Sequence, residues 1–107
     1  MDLGEIRKEI DEIDKELAEG FQRRMELCRQ VGEYKLEKGL KVLDRGREKE
    51  KLASLEAMAD SEFNRFGLKE MFTQIMGTSR KLQYRLMAEK GADAGLPFET
   101  AASLPKK

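Results

Sequence analysis

Residues 3–39 read LGEIRKEIDEIDKELAEGFQRRMELCRQVGEYKLEKG, and this stretch decides the fold. It contains no Pro. Its apolar residues Leu3, Ile6, Ile10, Ile13 and Leu17 recur at alternating spacings of three and four, which is the α-helical period. The stripe continues through Phe21, Leu27, Cys28 and Val31. Gly39 suits a helix stop, with Lys38 favourable in the last turn. One helix over residues 2–38 would be about 55 Å long. A compact domain of this size has a radius of gyration of only about 13 Å. The helix therefore outruns its own subunit, and its apolar stripe needs a partner. An intertwined homodimer is expected.

Working outward, residues 40–43 (LKVL) form a short connection, and Asp44 is a good N-cap for a second helix. That helix is expected to run to about Ala59, with Leu52, Leu55 and Ala59 on its apolar side. Asp60-Ser61 breaks the chain and supplies a fresh cap. A third helix follows from about Ser61 to about Lys90, with Gly67 a point where it could be interrupted. Its stripe includes Leu68, Phe72, Ile75, Leu82 and Leu86, and Gly91 ends it. No strand pattern and no repeat is present. The fold class is all-α, with three helices per chain and a very long first helix. The stretch GADAGLPFETAASLPKK (91–107) holds both prolines and several small residues, so it reads as a linker or disordered end. The domain is thus expected over residues 1–90, with a tail over 91–107.

Composition narrows the function. Lys plus Arg number 21 and Asp plus Glu number 21, a net charge of zero. A general nucleic-acid binder or a polybasic membrane binder needs a surplus of positive charge, so neither is expected. There is no His and one Cys, Cys28. That excludes His-based triads, an intrachain disulfide, and zinc motifs built on His or paired Cys. No motif suggests another metal or a cofactor. The N-terminus is charged from its second residue and no run of 18 apolar residues occurs. A reducing, cytoplasmic setting is the default expectation.

Polar residues that fall on the apolar stripes are the informative feature. Arg24 lies seven residues after Leu17, and Lys35 four after Val31, so both point with the core face. Arg7 borders the stripe, four after Leu3. On the second helix Glu48 lies four before Leu52. On the third, Ser79 is four after Ile75, and Gln83 four after Ser79. Singly, a long cation can snorkel to water and a Ser or Gln can bond the preceding helical turn. Together, three cations, one carboxylate and two neutral hydrogen-bonding groups facing one interior imply a polar pocket with a positive surplus. Its ligand is a small anion. Lys49, Glu50 and Lys51 read as plain surface.

The segments IRKEIDEID (6–14), QRRMELCRQVGEYK (22–35), VLDRGREKE (42–50) and TSRKLQ (78–83) closely resemble the all-helical, AroQ-class chorismate mutases. The resemblance covers residues 3 to about 90. The tail looks like the linker that joins such a domain to prephenate dehydratase in bifunctional proteins. The resemblance implies an intertwined helical dimer with two active sites, needing no cofactor. Its reaction would be the Claisen rearrangement of chorismate to prephenate, toward phenylalanine and tyrosine. By position, Arg24 and the partner's Arg7 would hold the two substrate carboxylates, with Arg47 and Ser79 assisting. Lys35 and Gln83 would bond the ether oxygen. Glu48, with the backbone at Asp44, would bind the ring hydroxyl.

Spacing supports a shared site. Arg7 and Arg24 are 17 residues apart, about 25 Å along one straight helix, too far for one ten-carbon substrate. Arg24 and Lys35, about 16 Å apart along the helix, can bracket it. Arg7 of an antiparallel partner would then lie opposite a position between 24 and 35, with the two-fold axis near residue 18. Two departures from the family pattern stand out. Position 20 is Gly where the family carries a bulky apolar residue, and position 41 is Lys where Pro is common. The rival readings are a pyruvate lyase acting on isochorismate with the same fold, and a non-catalytic helical dimerisation module.

Overall fold

The computed structural model of the chain describes residues 2–91. Three helices follow in order: α1 (Leu3–Lys38), α2 (Arg45–Glu56) and α3 (Glu62–Glu89). The tail expected over 91–107 lies, from residue 92 onward, outside the described residues.

Local chemistry sets the helix ends. The Asp2 carboxylate accepts from the Glu5 N–H at 2.8 Å and starts α1. At its other end Gly39 adopts φ 68°, a left-handed conformation that costs a glycine nothing. The Gly39 N–H then donates to the Leu36 carbonyl and the Leu40 N–H to the Lys35 carbonyl, at 3.3 and 2.8 Å. This is the double bond of a Schellman stop. Asp44 caps α2 through the Arg47 N–H, and Ser61 caps α3 through the Asn64 N–H. Two expectations change. The second helix ends at Glu56 rather than near Ala59, because the Met58 and Ala59 N–H groups tighten onto the Leu55 and Glu56 carbonyls. The third helix runs through Gly67 without a break.

Contacts rise in step along α1 and α3: Arg24 meets Ser79, and the Cys28 carbonyl meets Gln83. These helices therefore run in the same direction. On α2 the order reverses, with Glu48 beside Arg80 and Glu56 beside Arg65, so α2 is antiparallel to α3. Both α1 and α2 pack on α3. The one fully buried residue of α1 is Gly32, close against α3. A Cβ there would lie 3.0 Å from Gln83 Cγ and 3.2 Å from Leu86 Cδ2.

The apolar core is small. Among the described residues Val42, Met76 and Met87 are its buried hydrophobics, with Leu36 and Tyr84 packed against Val42 and Met87. The buried line of α3 is Met76, Ser79, Gln83 and Met87, half of it polar. The molecule is elongated, 55 × 29 × 24 Å with a radius of gyration of 16.9 Å.

The long first helix carries two lines that meet at Arg24. Arg24, Cys28, Gly32 and Lys35 turn toward the interior. Leu3, Ile6, Ile10, Ile13, Leu17, Leu27, Val31 and Tyr34 keep the three-four alternation with Gly20 and Arg24 filling the gaps, a continuous seven-residue repeat. All eight of those apolar side chains are exposed, Leu3, Ile13, Leu17 and Tyr34 by more than half. Leu27 and Val31 therefore belong to this outward line, not to the interior. Apart from the backbone of its own helical turns, no atom among the described residues lies within 4 Å of a Cβ placed on Gly20. Among the described residues no helix is long and apolar enough to cross a membrane.

Candidate active site

Three helices enclose a cavity of about 150 Å³. From α1 come Arg24 and Lys35, from the first two turns of α2 Arg47, Glu48 and Lys51, and from α3 Ser79, Arg80 and Gln83. Asp44 lines it from the cap of α2. The spacing explains the convergence. Positions 44, 47, 48 and 51 form one face of a helix, as do 79, 80 and 83.

At one end, Arg24 Nη1 donates to Ser79 Oγ at 2.6 Å, and Ser79 donates to the Ile75 carbonyl at 2.9 Å. Arg24 Nη1 also lies 3.6 Å from Cys28 Sγ. At the other end, Lys35 Nζ donates to the Val42 carbonyl at 2.7 Å. Between them Gln83 Nε2 donates to the Cys28 carbonyl at 2.7 Å. Glu48 pairs with Arg80 across the α2–α3 wall. Ser79 and Gln83 are 7% and 6% exposed. Among the described residues no buried side-chain N or O lacks a partner. An ammonium has three N–H groups and a primary amide two. Lys35 and Gln83 each therefore keep donors beyond the contacts given above.

The cavity carries five cations (Arg24, Lys35, Arg47, Lys51 and Arg80) against the carboxylates of Asp44 and Glu48. That surplus suits a dianion. The carboxyls held below their ordinary range lie elsewhere, on exposed faces: Glu26 by its hydrogen bond from Arg29 and Glu62 by its hydrogen bond from Arg65.

Seven of the eight residues singled out by sequence thus line one cavity: Arg24, Lys35, Asp44, Arg47, Glu48, Ser79 and Gln83. Arg7 does not join them. It is exposed on α1, 17 residues before Arg24. Two residues were missed. Lys51, read as plain surface, is half-buried and faces the cavity. Its position three after Glu48 and four after Arg47 carries that signal. Arg80 is half-buried, one position beside the buried line of α3 that carries Ser79.

Gly32 bears on this geometry. Gly32→Ala gains helix propensity, about 1 kcal/mol, but forces a methyl against Gln83, and overpacking costs about 1–3 kcal/mol. The variant is expected to fold with a similar or slightly lower melting midpoint. With Gln83 in the role the resemblance implies, at the ether oxygen, its kcat should fall about 10- to 100-fold as Gln83 is displaced. Steady-state kinetics beside a thermal melt check this, and an unchanged kcat would detach Gln83 from the reaction.

Fold and site together define an all-helical chain with one cavity in which cations outnumber carboxylates. The family model for chorismate mutase type II matches residues 6–84, a span that includes all eight residues, Arg7 among them. The chain belongs to this family and is an isomerase, acting on chorismate in aromatic amino-acid biosynthesis. No curated protein and no solved structure matches it.

Proposed function

We propose that the cavity is the seat of the rearrangement, that each site is completed by Arg7 of a second copy, and that residues 1–90 form the catalytic unit, working in the cytoplasm. The observation that carries this reading is the convergence of Arg24, Lys35, Glu48, Ser79 and Gln83 on one cavity with excess positive charge.

The reaction is unimolecular. One C–O bond breaks, one C–C bond forms, and no proton need move. Catalysis then consists of two tasks. The first is to hold the substrate in its compact, reactive conformer. Arg24, Arg47 and the partner's Arg7 do this by gripping the two carboxylates, since a planar guanidinium can bond both oxygens of one carboxylate. Ser79 holds Arg24 in place. Glu48, with the Asp44 backbone, takes the ring hydroxyl. The second task is to meet the negative charge that gathers on the ether oxygen as its bond lengthens. Lys35 and Gln83 donate there, and the Lys35 contact strengthens toward the transition state, as catalysis requires.

The exposed seven-residue repeat of α1 supports the second copy. Eight apolar side chains on one helical line form the kind of seam that another helix covers. Gly20 leaves a gap midway along that seam, beside an open apolar groove lined by Ile13, Leu17, Phe72 and Ile75. A two-fold interface repeats the gap on both chains. Activity per chain is therefore expected to fall on dilution as dimers dissociate. Gly20→Leu should raise the melting midpoint and abolish that concentration dependence, because losing a buried Leu side chain costs about 2–5 kcal/mol. Following chorismate absorbance across protein concentrations, beside sedimentation, tests this. Constant activity from a sedimenting monomer would overturn the shared site.

A further inference from the structure

Arg80 faces the cavity but has no part in the chemistry described above. It forms an ion pair with Glu48 that ties α2 to α3, Arg80 Nη1 to Glu48 Oε1, with the two side chains 30% and 28% exposed. The guanidinium folds back along its own helix. A Cβ on Gly77, one turn earlier, would lie 3.6 Å from Arg80 Nη2.

Glu48 needs such an anchor. No residue of helix α2 is fully buried and the Glu48 side chain keeps 28% exposure, so packing alone leaves it room to turn. Other cations share the cavity with it, among them Arg47, Lys51 and Lys35. A carboxylate free to choose among them would pair with a cation that the substrate needs, weakening both. Arg80 engages Oε1 from the α3 side, and Oε2 is left to accept a hydrogen bond.

We propose that Arg80 is a positioning residue: it holds the Glu48 carboxylate for the ring hydroxyl of the substrate and keeps it away from the cations that bind the substrate's own charges. The inference rests on the reading of Glu48 given under the proposed function. The partner of Glu48 is thus supplied by the helix that also carries Ser79 and Gln83. The recognition of the hydroxyl is tied in this way to the position of the ether-oxygen donor one turn further along α3.

A double-mutant cycle tests this, with chorismate and with an analogue whose ring hydroxyl is replaced by hydrogen. Glu48→Gln and Arg80→Met should each lower kcat/KM for chorismate by about 10- to 100-fold, mostly through KM, since the contact holds the ground state as well as the transition state. The double variant should be no worse than Glu48→Gln alone within about threefold. Arg80→Lys, which keeps a charged donor, should recover most of the loss. On the analogue, wild type and Arg80→Met should react alike, an outcome that a merely structural defect would not give. Arg80→Met losses that multiply with those of Glu48→Gln, or that persist on the analogue, would overturn the positioning role and make Arg80 a group acting on its own. Wild-type kinetics for Arg80→Met beside an impaired Glu48→Gln would overturn it while leaving the role of Glu48 intact. Wild-type kinetics for Glu48→Gln would remove the role of Glu48 itself. Melting midpoints of all variants, with Arg80→Lys as the folded reference, separate these outcomes from loss of fold.

Discussion

Lys35→Ala is expected to lower kcat by about 10²–10³-fold, equivalent to about 3–4 kcal/mol of barrier, with KM changed only a few-fold. Lys35 is the cation assigned to the ether oxygen, where charge develops only as the bond breaks. Its loss should therefore fall on the transition state and not on the bound substrate. A backbone carbonyl holds the ammonium. Lys35 Nζ donates to the Val42 carbonyl, and Val42 is itself buried at 3% exposure in the small core. One N–H is fixed in this way, which places the charge at one end of the cavity. The same bond ties α1 to the connection before α2, so Lys35→Ala should also lose about 1–3 kcal/mol of stability. Thermal melting measures that share separately from single-turnover rates. A variant retaining most of its kcat would remove Lys35 from the ether oxygen.

The three helices are legible in the sequence because their signals are local. Asp44 and Ser61 accept from the backbone N–H three residues on, and Gly39 supplies the one left-handed stop that α1 needs. The end of α2 is not legible in the same way, for no Gly or Pro marks it. It closes by tightening its own last carbonyl contacts at Leu55 and Glu56. The stripe of α1 misleads in another respect. A spacing of three and four fits both an interior line and a neighbouring seam, so Leu27 and Val31 group with Cys28 by period, although Cys28 turns inward and they turn out. Polar residues on an apolar line reveal Arg24, Lys35, Ser79 and Gln83. That test needs an apolar line for reference. On α2 it fails for Lys51, because the side facing the cavity is charged and only Leu52 and Leu55 mark the other register. Arg80 is hidden for a related reason: it lies one position beside the stripe, and only the approach of Glu48 from another helix gives it a partner.

The second large effect concerns Arg7. It lies about 25 Å along α1 from Arg24, on the exposed half of the helix, and within its own chain it joins no site. Arg7→Ala should nevertheless leave the enzyme almost inactive at substrate levels that saturate the wild type, since one carboxylate of the substrate would lose its guanidinium. Lys35→Ala should be inactive for a different reason, on a different part of the chain. In an equal mixture with subunits fully exchanged, half of the dimers are heterodimers. Each of those contains one site with both residues intact and one site with neither. About one quarter of all sites should then be complete. The most direct measurement is therefore the rate of chorismate loss after mixing Arg7→Ala and Lys35→Ala chains, with exchange verified by native mass spectrometry. Recovery to about one quarter of wild-type activity per chain is the predicted result. Activity that stays at the average of the two inactive parents, in a sample shown to contain heterodimers, would contradict a site shared between two copies.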